Sequence, residues 1–224
     1  FFIILNTLKM IIIIPIKKKS RRLKNKNFLV LKNKPLFQWT IDFAKENFNK
    51  KNILISTDCI KTANLLRKKG LQVPFVRPTN LATSKTSTYQ VVKHAIMNFE
   101  KKTGRLINNL ILLQPTTPFR SIKDLKLGIK LFNRNFLPTM SVNKLHVRSN
   151  MIYLKKSKND MTQGLFKKKE SFIPNGSFYI ISKKKLFNLK NFYSKKMNFV
   201  EIKRPKNKID IDYLEDFQLA KKLL

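Results

Sequence analysis

The chain contains twelve acidic residues, and four of them, Asp210, Asp212, Glu215 and Asp216, fall within seven consecutive positions. Against 48 Lys and Arg, that concentration needs a cause. In Ile209-Asp210-Ile211-Asp212 apolar and acidic residues alternate, so a strand sends both isoleucines to the core and both carboxylates to the opposite face, roughly 7 Å apart. An oxygen-only pair of this kind suits Mg2+, which takes one or two carboxylates and completes its octahedron with water and phosphate oxygens. Phosphate chemistry follows more readily than zinc chemistry. The same run also reads as a helix start, with Asp212 capping a helix from Tyr213 to Leu224 and Glu215 at its third position. Both uses are compatible, and Asp210, which the cap leaves idle, is the more diagnostic residue.

The second concentration of chemistry is basic. Lys17 to Asn27 is a polar, lysine-rich stretch that directly follows the apolar run Met10 to Ile16. That run is unbroken and mostly β-branched, the pattern of a parallel strand buried on both faces, and strand followed by functional loop is its natural reading. Gln114 closes a similar run, Asn109 to Gln114, at the strand end where open α/β sheets place ligand-binding groups; a turn cap is the other use of a glutamine there.

The elements that must position these residues alternate. Leu36, Trp39, Ile41, Phe43 and Ala44 recur at near-helical spacing between Pro35 and Phe48, which predicts the first crossover helix, with Pro35 in its first turn. Asn52 to Ser56 is a short strand. Thr57 to Lys69 is a helix closed by Gly70, with Asp58 as its cap, and Leu71 to Val76 is a further strand. Helical spacing returns from Thr88 to Phe99 and from Ser121 to Phe132, the latter opened by a Ser-x-x-Asp cap. Such alternation predicts a doubly wound, mostly parallel α/β sheet. The second half is less regular. Strands near Thr139 to Asn143, Met151 to Leu154 and Ser177 to Ile181 flank a lysine-rich segment, Lys155 to Glu170, which reads as an exposed arm or part of a dimer contact. No linker divides the chain, so residues 1–224 read as one domain.

Composition bounds the alternatives. The 224 residues carry a formal charge of +36 with 42% hydrophobic content, which excludes a disordered tail and would attract any polyanion. The lysines are spread along the chain beside abundant Asn, Ile and Phe, so the charge reads as drift in an AT-rich genome rather than as a dedicated nucleic-acid surface. Cys59, the only cysteine, leaves no internal disulfide and fits a reducing compartment. The apolar opening Phe1 to Ile16 is interrupted by Lys9 and is too short to span a bilayer, which takes about 20 residues. Met10 stands just before the first strand, and residues 1–9 are expected to be an upstream extension. His94 shares a helical face with Val91 and Met97 and reads as packing, whereas His146 has no second histidine beside it to suggest a metal site.

Further motifs stand in a fixed order: Ser56-Thr57-Asp58, Val73 to Pro78, Leu81-Ala82-Thr83, Leu112 to Arg120, Asn175 to Ile180 and Ile209 to Asp212. With the basic loop from Ile14 to Asn27, this series resembles the acylneuraminate cytidylyltransferases, a family that includes CMP-sialic acid and CMP-legionaminic acid synthetases. Several motifs in order are far more specific than any one of them. The resemblance implies a Rossmann-like sheet of the nucleotide-diphospho-sugar transferase type, with a small β-rich dimerisation excursion over about residues 139–182. It implies that Lys17, Ser20, Arg21, Lys26, Asn27, Arg77, Thr86 and Thr88 bind CTP. Gln114, Asn175, Tyr179, Phe192 and Tyr193 would line the pocket for a sialic-acid-like nonulosonic acid, although paired aromatics also suit a core. Asp210 and Asp212 would hold Mg2+, with Asp210 and Lys26 catalytic.

The reaction so implied is attack of the sugar's anomeric hydroxyl on the α-phosphorus of CTP, giving CMP-sugar and pyrophosphate. The expected setting is a cytoplasmic homodimer without membrane or nucleic-acid partners. After Ile-Pro the family usually reads Ala-Arg-Gly-Gly-Ser-Lys. Here Lys18 and Lys19 replace the two glycines that let backbone N–H groups approach the triphosphate. Ser84 stands where the family often has Asp. The extreme charge and the glycine-free loop keep a second reading open, a nucleic-acid-binding or inactive relative on the same scaffold.

Overall fold

The computed structural model describes residues 10–145, 153–155, 161–163 and 171–224. The opening extension, His146 and most of the lysine-rich arm lie outside the described residues. In chain order the elements begin with β1 (Met10–Ile16), β2 (Val30–Leu31), β3 (Lys34–Pro35), α1 (Leu36–Asn47), β4 (Ile53–Thr57), α2 (Ile60–Lys68) and α3 (Thr88–Thr103). There follow β5 (Asn109–Leu112), α4 (Ile122–Asn135), β6 (Thr139–Leu145), β7 (Tyr153–Lys155), β8 (Met161–Gln163), β9 (Ser171–Ser182), α5 (Lys183–Leu189), β10 (Asn198–Glu201) and α6 (Leu214–Lys222).

The central sheet has the order β10-β6-β9-β5-β1-β4. Its strands pair in parallel except β9, which runs antiparallel to both β5 and β6. The β-branched run of β1 is buried on both faces as its composition requires, with Ile12, Ile13, Ile14 and Ile16 all 0% exposed. Ile12, Ile14 and Ile16 pack with residues of α1, α2 and α4, among them Ile41, Leu66 and Phe132. Ile11 and Ile13 face the other way, onto Val92, Ile96 and Phe99 of α3 and Leu186 of α5. Each such side chain taken from water contributes about 1.5–3 kcal/mol, so the strand's two faces fix a three-layer, doubly wound fold. A third cluster joins Leu31, Leu36 and Phe119 to Ile209, Ile211 and Phe217, and it pins the C-terminal segment across the end of the sheet.

Local details depart from the sequence reading where tertiary partners intervene. Leu71 to Val76 contributes a single parallel bridge, Gln72 to Leu54, because Pro74 has no N–H with which to continue a ladder. Pro35 precedes α1 as its N-cap instead of sitting in the first turn. The helix α2 is opened by Cys59, not Asp58. The expected strand at Ser177 to Ile181 is the far half of the twelve-residue β9. The α4 cap holds, with Ser121 Oγ accepting from the Asp124 N–H at 3.3 Å. Among the described residues no helix is long and apolar enough to cross a membrane.

Candidate active site

Parallel strands β1, β4 and β5 end on one edge of the sheet, and the polar residues gather there. The segment from Ile209 to Asp212 is extended but joins no strand. It is anchored by the Ile211 N–H, which donates to the Thr116 carbonyl at 2.8 Å. The alternation survives this change, since Ile209 and Ile211 are buried in the third cluster while both aspartates face the opposite side. The helix cap is supplied by neither of the expected acids. Asp216 accepts from the N–H groups of Asp212 and Tyr213 at 2.9 and 2.8 Å, which leaves the Asp212 carboxylate free for other partners.

Those partners are cations. Lys26 Nζ and Arg22 Nη1 each lie 2.6 Å from an Asp212 oxygen, and the Arg22 guanidinium sits over the Tyr213 ring at 5.5 Å. Lys26 is nearly enclosed, with 11% of its side chain exposed, whereas Arg22 is 58% exposed. Asp210 is different. Its Oδ1 is buried and has no hydrogen-bond partner. Burial pushes its pKa up from the ordinary 3.8, a bond from Thr116 opposes this, and neighbouring Asp212 adds to it against smaller contributions from Lys26 and Arg120.

The basic loop is tied down by its own polar residues. Ser20 Oγ accepts from the Lys26 N–H at 2.8 Å and donates to the Leu23 carbonyl at 2.5 Å. Asn27 Nδ2 donates to the Lys17 carbonyl at 2.9 Å, and Lys17 Nζ reaches the Thr83 carbonyl at 2.8 Å. Neither Lys18 nor Lys19 adopts a positive φ; the left-handed residue of the loop is Asn25, at φ 51°. Replacing glycines with lysines is therefore tolerated without strain at those two positions. The Lys18 N–H is already held by Asp58 Oδ1 at 2.8 Å, so this loop presents ammonium groups where a glycine loop would present amides. Lys17, Lys18, Lys19, Arg21 and Lys24 surround a cavity of about 620 Å³ whose far wall is Ala82, Thr83 and Ser84. Thr86 belongs to that wall's scaffold, its Oγ1 donating to the Asn80 carbonyl at 3.1 Å.

Two expected ligand contacts are placed elsewhere. Arg77 is 2% exposed, and its guanidinium is shared among Ser56, the Ile16 carbonyl and Asp58, so it ties the ends of β1 and β4 together. Asn175 is 1% exposed, with Nδ2 on Asn143 Oδ1 at 3.1 Å and Oδ1 accepting from the Ser177 N–H at 3.1 Å. With Nδ2 also reaching the Asn207 carbonyl at 3.5 Å, this buried amide is engaged at both ends inside the protein and turned away from a sugar. Both side chains position the site instead of lining it.

Gln114, Tyr179, Phe192, Tyr193 and Thr88 do come together, around a second cavity of about 160 Å³. Thr88 thus falls with the aromatic group and not with the lysine loop. Tyr179 and Phe192 are also core residues, in edge contact at 5.5 Å between ring centroids. Gly176, at φ +75°, stands where Gln114 of this cavity meets Thr117 and Asp210. A Cβ there would lie 2.6 Å from Gln114 Oε1, 3.0 Å from Thr117 Oγ1 and 3.2 Å from Asp210 Oδ2.

Three residues that hold this arrangement are not among those the sequence assigns to the site. Asp58 was expected to cap α2 and instead clamps Lys18 and Arg77; its place after β4, at the same edge as the loop, was the available signal. Arg22 was hidden among many cations. Arg120 donates to Thr40 Oγ1 at 2.7 Å, to the Ser177 carbonyl at 2.8 Å and to the Gln114 carbonyl, locking Gln114 against β9. Burial lowers the Arg120 pKa to about 9, against a small opposing effect of Asp210.

The family model described as Cytidylyltransferase matches residues 11–224. The chain belongs to this family. As a cytidylyltransferase it is similar to an Escherichia coli protein named N-acylneuraminate cytidylyltransferase, 28% identical over 221 residues, 95% of this chain and 51% of that one. The chain therefore spans about half the length of that relative. A Legionella pneumophila protein named CMP-N,N'-diacetyllegionaminic acid synthase is 27% identical over 225 residues, which is 97% of each chain. The cytidylyltransferase fold is shared with the solved CMP:2-keto-3-deoxy-manno-octonic acid synthetase complexed with CTP, at TM-score 0.68 and 12% identity over 96% of this chain and 97% of that one.

Proposed function

We propose that this cytidylyltransferase couples CTP to a sialic-acid-like nonulosonic acid, with release of pyrophosphate. The observation that carries the reading is the pairing of a lysine-lined cavity on the loop after β1 with an aromatic cavity whose Gln114 meets, at Gly176, the Asp210 carboxylate with its one buried, unpartnered oxygen. The first suits a triphosphate and the second a sugar. The names of the relatives, which concern sialic and legionaminic acids, support the same substrate class.

The residues fit Mg2+. Asp210 and Asp212 offer hard carboxylate oxygens, and Asp210 Oδ1 lacks any partner. When bound, Mg2+ would neutralise charge building on the phosphate oxygens during transfer. The protein's own contribution starts with the ammonium groups of Lys17, Lys18 and Lys19, which hold the triphosphate by charge. Lys26, nearly buried and held by Asp212, would lend its charge to the same phosphates. Gln114, held by Arg120, orients the sugar so that its anomeric hydroxyl lies beside Asp210, and Asp210 assists the departure of the hydroxyl proton. No covalent enzyme intermediate is needed.

The test is pyrophosphate release from CTP with sialic, legionaminic and pseudaminic acids. Release that requires both substrates is expected with at least one of them. Silence with all three, together with tight oligonucleotide binding at physiological salt, would instead favour the nucleic-acid reading. Family membership and the aromatic cavity weigh against that rival.

Arg22 must leave Asp212 before that carboxylate can turn to a metal. Because Arg22 is largely exposed, its ion pair is worth only about 0.2–1 kcal/mol. Arg22→Ala is therefore expected to tighten Mn2+ binding by about two- to fivefold in a nucleotide-free titration. Unchanged affinity would remove Asp212 from the metal site.

A further inference from the structure

The aromatic cavity contains a cation that the family pattern did not single out. Among the residues lining it, Leu112, Tyr179 and Phe192 are apolar or aromatic, Gln114 is neutral, and Lys190 carries charge. The geometry points to Lys190 as the residue that recognises the acceptor's carboxylate. This rests on the reading of the acceptor as an acidic sugar.

Three observations carry it. Among the described residues the other cations near the junction at Gly176 have partners in the protein, Arg120 in Thr40, Ser177 and Gln114 and Lys26 in Asp212, and Arg22, once released from Asp212, belongs to the lysine loop. An acidic acceptor brought towards Asp210 needs a counter-charge, and Lys190, exposed and lining the aromatic cavity, has an ammonium to offer it in a charge-assisted hydrogen bond. Lys190 also has a fixed place. It ends α5 in the left-handed conformation, φ 53° and ψ 22°, with its N–H donating to the Leu186 carbonyl at 2.9 Å. The next residue locks the turn, since Asn191 Nδ2 donates to the Leu189 carbonyl at 2.9 Å and Asn191 Oδ1 accepts from the Tyr193 N–H at 2.6 Å. That turn carries Lys190, Phe192 and Tyr193 to the cavity together.

The left-handed backbone provides a discriminating test, because glycine is the favoured residue at such a helix end. If Lys190 serves only to end the helix, Lys190→Gly improves the protein and leaves catalysis alone. If it binds the carboxylate, the same change stabilises the fold and weakens the acceptor. Expected are a rise in Tm of about 2–4 °C and a rise in KM for the acid sugar of about ten- to hundredfold, the loss of one charge-assisted hydrogen bond. KM for CTP should stay close to wild type.

Lys190→Arg should restore acceptor binding. The sugar's neutral methyl ester should bind wild type and Lys190→Gly alike. An unchanged acceptor KM in Lys190→Gly, with wild type active on the acid sugar, would overturn the role of Lys190 and leave the proposed reaction standing. Wild type inactive on every acid sugar would overturn the reaction itself, and this assignment with it.

Discussion

Asp210→Asn is expected to abolish CMP-sugar formation, by at least about a hundredfold in kcat, while raising the melting temperature at neutral pH. The two effects have one origin. Asp210 is held with a buried oxygen that no donor reaches, and burial raises its pKa. A carboxylate whose folded pKa lies above its unfolded value binds its proton more tightly in the folded state. It therefore costs stability as soon as pH passes the unfolded value of about 4, and the cost is complete above the raised folded value. Asparagine has the same shape and no charge to desolvate, and its amide can bond Thr116. Melts of wild type and variant in EDTA should diverge most near neutrality and converge below about pH 4. CTP binding to the lysine cavity should be largely retained. A variant that melts lower than wild type at neutral pH would mean that the carboxylate is already satisfied; retained turnover would remove its part in the reaction.

The alternation of Ile209 to Asp212 was legible because it depends only on which face of an extended backbone is apolar, and it survived even though no strand forms there. The assignment of the cap was not legible. Three acids lie within reach of one helix start, and sequence cannot say that Asp216, one turn inside, folds back to the Asp212 and Tyr213 amides. The layers and the sheet were readable from β1 and its neighbours, whose continuous β-branched runs have no other stable use. The direction of β9 was not, because a strand's pattern is the same read either way. Arg77 and Asn175 mark a further limit: a motif says that a polar residue belongs to a site, but backbone carbonyls and buried amides brought in by tertiary contact decide whether it faces ligand or protein. Lys190 was invisible for a compositional reason, one lysine in a chain full of them.

Gly176→Ala is expected to be the most damaging single-methyl addition to the site. At φ +75° the alanine backbone alone costs about 1–2 kcal/mol. Its Cβ would also fall 2.6 Å from Gln114 Oε1, a distance that forces Gln114 to move, with Thr117 and Asp210 close behind. The Gln114 side chain borders the aromatic cavity and can swing into it, but its backbone stays held by Arg120 and its amide then leaves the place beside Asp210. Overpacking of this kind adds about 1–3 kcal/mol, so Tm should fall by roughly 5–15 °C. A displacement of about 1 Å at a positioning residue can cost a hundredfold in rate, and kcat should drop by about that factor. Gly104→Ala supplies the control. Gly104 has φ +67° with nothing within 4 Å of the added methyl, so it carries the backbone cost alone. It should lose a few degrees of Tm and keep full activity. Equal loss of activity in both variants would trace the defect to stability; loss confined to Gly176→Ala would trace it to the crowding of Gln114 and Asp210, the two groups that the proposed reaction needs side by side.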